Sequence, residues 1–383
     1  MAGRAVVARA AAPEPDGRRP RLERLCRTSF AHHHMLGRQP RVALRALQRR
    51  QLASAAVCTA LGERLVLQRD WPVPAPGRGE VKLRVAAAGV NFADLLKTRG
   101  QYQEKAEPPF VPGNELAGEV CEVGEGVTSL SVGDRVVCLN RGGAYASETV
   151  ALAATCLKVP AAAASRDLCE AASLLVNYGT AHLALTTRSQ LQPGETVLVT
   201  AAAGGVGLAT IELAKKLGAG TVVAAAGSSA KLEMARAKGA DVGVAYAGLD
   251  GKAFRAALKE ARGPGGVDVV VDMAGGELLE PCVRSLNWNG RAVVVGFAAG
   301  SIPKIPANLL LVKNIALAGL FWGAHLQHEP KTLLRSAQQL LTWWADGELQ
   351  PHICERVPLS RAHDAFDLLE SRQSTGKVIV VPD

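Results

Sequence analysis

The sequence has no run of the ~18 to 20 apolar residues that a bilayer-spanning helix needs; its apolar stretches are short and broken by glycine. No membrane partner is expected. The eight cysteines, at 26, 58, 121, 138, 156, 169, 282 and 354, include no CxxC pair and no spacing that suggests a zinc site or a disulfide framework. A reducing compartment suits them. Lysine is missing from the first 50 residues and acid is scarce there, with twelve arginines against Glu14, Asp16 and Glu23. That segment carries the whole net charge of +9, because the rest of the chain balances 32 basic against 32 acidic residues. The body is neutral, so charge gives no reason to expect a nucleic-acid partner.

Residues 1 to 54, rich in Arg and Ala and without a strand pattern, read as a disordered basic segment resembling a mitochondrial transit peptide. A start at Met35 would give a cleaner presequence, with no acid before Glu63, and residues 1 to 34 would then be an upstream extension. Mitochondrial localisation is the expectation, with a basic tail on a cytoplasmic protein as the alternative.

From about residue 60, short strands alternate with Gly/Pro turns, as in VKLRVAAAGV (81 to 90) and ELAGEVCEVG (115 to 124). From 167 the pattern becomes helices alternating with compact apolar strands: TVLVT, TVVAAA, VGVAY, DVVVDM and RAVVVGF. Uninterrupted apolar strands separated by helices imply a parallel sheet covered on both faces. The fold class is α/β, an irregular β domain plus a doubly wound sheet. The last part of the chain, with helices near 331 to 345 and 361 to 370 and a strand KVIVV, has too few strands for a domain of its own and is expected to return to the β domain.

In VLVTAAAGGVG a strand ends at Thr200, and Ala203, Gly204, Gly205, Val206 and Gly207 lead into an apolar helix. Glycines let the backbone approach a pyrophosphate, and the helix N-terminus offers unpaired N–H groups. The strand, loop and helix context predicts dinucleotide binding. The next strand ends without the carboxylate that would hold the 2′-hydroxyl of NAD; Ser228, Ser229 and Lys231 stand there instead. Hydroxyls and an ammonium suit a 2′-phosphate, so NADPH is favoured and NADH remains open. Either serine equally suits a helix N-cap.

VNFADLLKTRGQY (90 to 102), PPFVPGNELAGEV (108 to 120), VGDRVV (132 to 137), GGAYASE (142 to 148), NYGTAHLAL (177 to 185), AAAGGVG (201 to 207) and STGKVIV (374 to 380) together resemble the zinc-independent medium-chain dehydrogenase/reductases of the quinone oxidoreductase, or zeta-crystallin-like, family. The resemblance implies a GroES-like domain from residues 55 to 178 and 316 to 383, a Rossmann domain from 179 to 315, and a homodimer built on Rossmann edge strands, with NIALAGLFW near such an edge. It implies NADPH-dependent hydride transfer to a quinone or an α,β-unsaturated carbonyl. A cofactor-binding protein with little turnover, in a crystallin-like structural or RNA-binding role, is the alternative.

The same resemblance puts Asn91, Asp94 and Tyr102 at the nicotinamide end of a cleft, Tyr102 as donor to the developing oxyanion or as a packing residue, and Asp94 more as a loop-fixing group than a catalytic one. It puts Thr180 beside the cofactor, where an N-capping role is also open. Tyr246 is placed near the adenosine phosphate, and Gly296 and Phe297 near the nicotinamide. Lys377 is placed near a cofactor phosphate, although a solvated strand-start lysine is the more ordinary reading. Leu96 departs from the second tyrosine of several quinone reductases. Where zinc-dependent relatives have Gly-His-Glu, this chain has Gly113, Asn114 and Glu115, so no zinc is expected.

Overall fold

The structure, a computed structural model, describes residues 51–383; nearly all of the basic segment expected to be a transit peptide lies outside the described residues. The strands are β1 Gln51–Val57, β2 Val66–Val73, β3 Glu80–Gly89, β4 Glu115–Val123, β5 Arg135–Leu139, β6 Glu148–Leu152, β7 Cys156–Lys158, β8 Thr196–Val199, β9 Thr221–Ala226, β10 Val242–Ala245, β11 Val267–Asp272, β12 Leu286–Val294, β13 Ala316–Gly319, β14 Ile353–Pro358 and β15 Lys377–Val381.

β8 to β13 form one parallel sheet in the order β10-β9-β8-β11-β12-β13. Numbered from its own first strand this is 3-2-1-4-5-6, the doubly wound order with a crevice where the order reverses, at the carboxyl ends of β8 and β11. The central stretches of the strands are apolar because both faces are covered. Val197 and Val199 enter one core while Leu198 between them enters the other, and Val269, Val270 and Val271 divide in the same way.

The second sheet runs β14-β15-β3-β4-β5-β7, with β6 on β3, and encloses a third core. β3 and β4 come from the first half of the chain and β14 and β15 from its end, so this lobe closes only when the termini of the body meet. The strand pairings differ from the expected limits at two places. The body begins at β1 rather than at 55: residues 51 to 57 pair antiparallel with β2, and Ala53 is buried. Alanine-rich sequence hid this strand inside the basic segment. Nor does the Rossmann part end at 315, because β13 pairs in parallel with β12 from Ala316 to Gly319 as the edge strand. Beyond it, helix Pro330–Ala345 buries Leu333, Leu340, Leu341 and Trp344 in the core that includes β8 and β11. Only β14 onward returns to the β lobe.

A helical stretch joins the lobes: Leu168–Ala171, a π-helical turn Leu174–Tyr178, Gly179–Leu183 and a second π-helical turn Ala184–Arg188. Thr180 lies inside this stretch, which rules out the N-capping alternative. π-turns misalign the backbone ladder and free N–H groups for other partners.

Candidate active site

The loop after β8 meets helix Gly205–Lys216 at the switch point of the sheet. Glycine is required there on steric grounds. A Cβ on Gly207 would lie 2.5 Å from the Ala201 carbonyl oxygen and 2.6 Å from that of Ala202, and one on Gly205 would lie 2.2 Å from the Asn177 amide nitrogen. Gly207 thus serves helix–strand packing, while Ala203, Gly204, Gly205 and Val206 wall a cleft of about 890 Å³. Tyr246, Lys231 and Gly227 line the same cleft, as do Asn91 and Lys377.

The cleft is closed by a segment from the other lobe. Gly376 N–H donates to the Ala203 carbonyl at 2.8 Å, and the Lys231 ammonium donates to the Arg372 carbonyl at 2.6 Å. Arg372 and Ser374 line the cleft opposite Lys231. Both escaped the sequence reading, because nothing local in SRQST marks a segment that folds back across the molecule. The expected serines play another part: Ser228 Oγ accepts the Lys231 N–H at 3.4 Å as the N-cap of helix Ser229–Ala237, and neither Ser228 nor Ser229 lines the cleft. Gly296 and Phe297 are likewise displaced. Phe297 packs on Gly275, where a Cβ would come within 2.7 Å of its ring, and the wall is made by Ala298 to Ser301 instead.

At the inner end of the cleft lies a buried polar network. Lys377 is 3% exposed, which overturns the solvated alternative. Its Nζ donates to Glu115 Oε1 at 2.5 Å, Asn91 Oδ1 at 2.8 Å and Asn177 Oδ1 at 3.5 Å. Glu115 also accepts from Asn91 Nδ2 at 3.0 Å and, through Oε2, from the Val176 N–H at 2.8 Å. Val176 sits in the first π-helical turn, so the irregular backbone supplies the donor that the carboxylate needs. A buried ion pair persists only with its remaining hydrogen-bonding capacity filled. Glu115, Asn177 and Val176 were all missed as site residues, since a glutamate opening a strand and an asparagine in a helix carry no local signal.

Asp94 does not reach either cavity, which corrects its place among candidate catalytic groups. It is fully buried as the third residue of helix Phe92–Thr98, where its Oδ2 accepts the Asn91 N–H at 2.9 Å in a capping box and the Tyr145 hydroxyl at 3.0 Å. Its Oδ1 has no partner. Burial is the main reason its pKa rises to about 6, against the opposing hydrogen bonds from Asn91 and Tyr145.

Next to the cleft is a second cavity of about 270 Å³, largely apolar, sharing Asn91, Phe92 and Val206 with it. Tyr102, Phe321, Trp322 and Leu326 give its apolar wall, and Asn114, Asn140 and Arg141 the polar one. Thr180 lines this cavity rather than the cofactor cleft. The Tyr102 ring meets Phe321 edge-on at 6.3 Å between centroids. Its phenol is pushed up to about 12, chiefly by burial and then by Glu104 and Asp94, and so remains a protonated donor at neutral pH. Trp322 rests on Gly179, where a Cβ would fall 2.8 Å from the indole.

Asp94 generates a test by pH. Its carboxyl ionises near 3.9 in an unfolded chain and near 6 in the fold, so between those values the unfolded chain loses its proton first. Stability must fall as pH rises through that window. Asp94→Asn, which keeps an acceptor for Asn91 and Tyr145, should remove roughly 2–3 kcal/mol of that fall. Urea denaturation of both proteins at pH 4.5 and 7.5 reads about two-thirds of it; a difference that does not change with pH contradicts the assignment.

Comparison with known proteins agrees with this geometry. Residues 77–161 match the alcohol dehydrogenase GroES-like domain family and residues 205–339 the zinc-binding dehydrogenase family. The chain is 41% identical to the quinone oxidoreductase-like protein 2 homolog of Nematostella vectensis over 85% of its length and 88% of that protein's. It is 43% identical to quinone oxidoreductase-like protein 2 of Bos taurus, covering 85% of this chain and 91% of the relative. Among solved structures, Escherichia coli quinone oxidoreductase complexed with NADPH superposes with a TM-score of 0.77 at 27% identity, covering 86% of this chain and 99% of the other. With a GroES-like lobe, a doubly wound lobe and a glycine loop at their junction, the chain belongs to the medium-chain dehydrogenase/reductase family, among its quinone oxidoreductase-like members.

Proposed function

We propose that the protein is a zinc-independent, NADPH-dependent oxidoreductase that reduces quinones or α,β-unsaturated carbonyls. The observation that carries the reading is the juxtaposition of a glycine-walled nucleotide cleft with a small, largely apolar cavity that shares Asn91, Phe92 and Val206 with it. In this reading the larger cleft holds the dinucleotide, with Ala203 to Val206 at the pyrophosphate and Lys231, Tyr246 and Arg372 at the adenosine end. The nicotinamide, when bound, supplies the hydride.

The chain's own residues orient and stabilise. Phe92, Phe321 and Trp322 hold a planar acceptor and exclude water from it. Tyr102, protonated at working pH, donates a hydrogen bond to the oxygen on which charge develops. Quinones and enones suit such a site because their reduced forms spread the charge. Asn91 has both ends of its amide engaged by Lys377 and Glu115, so it acts as a fixed wall rather than a proton donor. The donor set does not fit zinc: Asn114 offers an amide where a histidine would be needed, and no group of three or more His, Cys, Asp or Glu suited to a metal occurs among the described residues.

Two further parts of the proposal lie outside the cleft. The edge strand β13 and the helix before it, with Leu311 81% and Val312 64% exposed, suit a homodimer interface. Sedimentation as a monomer at micromolar concentration would set that aside. The acid-poor basic segment suits mitochondrial import, and a purely cytosolic signal from a fusion begun at Met35 would remove it.

Two substitutions test the chemistry. Arg372→Ala is expected to weaken NADPH binding roughly 10-fold or more while changing NADH binding little; equal losses for both cofactors in a fluorescence titration would show that Arg372 does not read the 2′-phosphate. Incubation with NADPH and a panel of ortho-quinones, para-quinones and enones should give acceptor-dependent cofactor oxidation, with kcat reduced about 10- to 100-fold by Tyr102→Phe. Tight NADPH binding without oxidation of any acceptor would favour the crystallin-like or RNA-binding alternative.

A further inference from the structure

Two of the cysteines that the site does not use, Cys138 and Cys156, face each other at the edge of the β lobe. They are direct partners in the antiparallel pairing of β5 with β7. The Val159 N–H donates to the Arg135 carbonyl at 2.8 Å, which makes 135 and 159 a hydrogen-bonded pair. Pairs of the two kinds alternate along an antiparallel ladder, so Cys138 and Cys156 form a non-hydrogen-bonded pair. In such pairs the side chains lie on one face and the Cα atoms approach to about 4.5 Å. That separation is inside the range of about 4.4 to 6.8 Å in which a disulfide closes.

Both thiols are free, and their sulfurs have weak partners: Cys138 the Leu139 carbonyl at 3.5 Å and the Thr155 hydroxyl at 3.8 Å, Cys156 the Leu152 carbonyl at 3.4 Å. β7 has three residues and ends its sheet, so few ladder bonds hold it closed. Cys138 is also the last β5 residue before the wall of the smaller cavity, to which Leu139, Asn140 and Arg141 contribute. Leu139 points to the opposite face from Cys138, toward the other lobe.

We propose that Cys138 and Cys156 are a reversible oxidation site, closing to a cross-strand disulfide in the presence of hydrogen peroxide and altering the cavity wall at Leu139 to Arg141. The more exposed Cys156, as thiolate, attacks one peroxide oxygen. The O–O bond breaks, water leaves after protonation, and a sulfenic acid remains on Cys156. The Cys138 sulfur then attacks that sulfur, the S–O bond breaks and a second water leaves. Two thiols are oxidised by two electrons and one peroxide is reduced to two waters. The step is slow in the closed fold, because the adjoining Cys138 sulfur and burial push the Cys156 thiol up. Cβ atoms of facing residues lie about 4.5 to 5.5 Å apart and a disulfide draws them to about 3.8 Å, so the end of β5 must move inward.

The test uses the full chain with hydrogen peroxide, followed by peptide mass mapping without and with reductant. Expected is one cross-link between the peptides holding Cys138 and Cys156, with loss of two hydrogens, reversed by dithiothreitol and absent from Cys156→Ala and from Cys138→Ala. A sulfinic or sulfonic acid on Cys156 without the cross-link, no oxidation at either residue, or linkage to another cysteine overturns the proposal. The kinetic half rests on reading the smaller cavity as the acceptor pocket, whereas the mass map does not. There the oxidised wild type should show an acceptor KM changed roughly 3- to 10-fold with an unaltered NADPH Kd, and peroxide-treated Cys156→Ala should show no change in either constant. A cross-linked protein with unchanged acceptor KM overturns the link to the cavity while leaving the function itself untouched.

Discussion

The site depends on one buried ion pair. Lys377 and Glu115 come from β15 and β4, far apart in the chain and in the same sheet, and they meet where the β lobe touches the phosphate loop. An ammonium and a carboxylate out of water cost several kcal/mol each, so their neighbours must satisfy them. Asn91 bridges both charges, Asn177 takes the lysine and the Val176 N–H takes the carboxylate. Each neighbour belongs to a different part of the molecule. Asn91 opens the helix that Asp94 caps, Asn177 touches Gly205, and Val176 fixes the irregular turn between the lobes. One pair therefore sets the position of the glycine loop, of the cavity wall at Asn91 and Phe92, and of the joining helix.

The segment that precedes Lys377 extends the same logic to the cofactor cleft. Gly376 is tied to Ala203, and Arg372 lies under the ammonium of Lys231. The last strand thus carries the charge that orders the inner end of the cleft, and the segment before it carries Arg372, which lines the same cleft with Lys231. The smaller cavity has a different character, with aromatic walls and one half-buried phenol held in its protonated form. Charge is concentrated where a phosphate-bearing ligand would lie, and apolar surface where a planar acceptor would lie.

Much of this was legible in sequence. Strand, loop and helix around Gly204 were readable because their chemistry is local: a fully apolar strand, glycines at contacts that admit no Cβ, and a helix N-terminus. The parallel sheet followed from uninterrupted apolar strands, and the ordered motifs led to the family. The errors share one cause, which is distance along the chain. Arg372 and Ser374 line a cleft whose other wall includes Lys231, 141 residues from Arg372. Glu115 reads as an ordinary strand opener until Lys377 is placed beside it. Ser228 was legible as two things, and the geometry made it a cap. Asp94 was identified as a loop-fixing group with catalysis as the alternative, and its burial away from both cavities leaves the first. The domain limits moved for a related reason, since an alanine-rich strand and a short edge strand are recognisable only by their partners.

The central claim is that Lys377 holds the two lobes and the glycine loop as one unit. Hydrogen–deuterium exchange of full-length wild type and Lys377→Met, compared under conditions where both are folded, tests it most directly. Faster exchange appearing together in the glycine loop, the turn around Val176 and the segment before β15 is predicted. Faster exchange confined to β15, with the loop and the Val176 turn unchanged, would contradict the account.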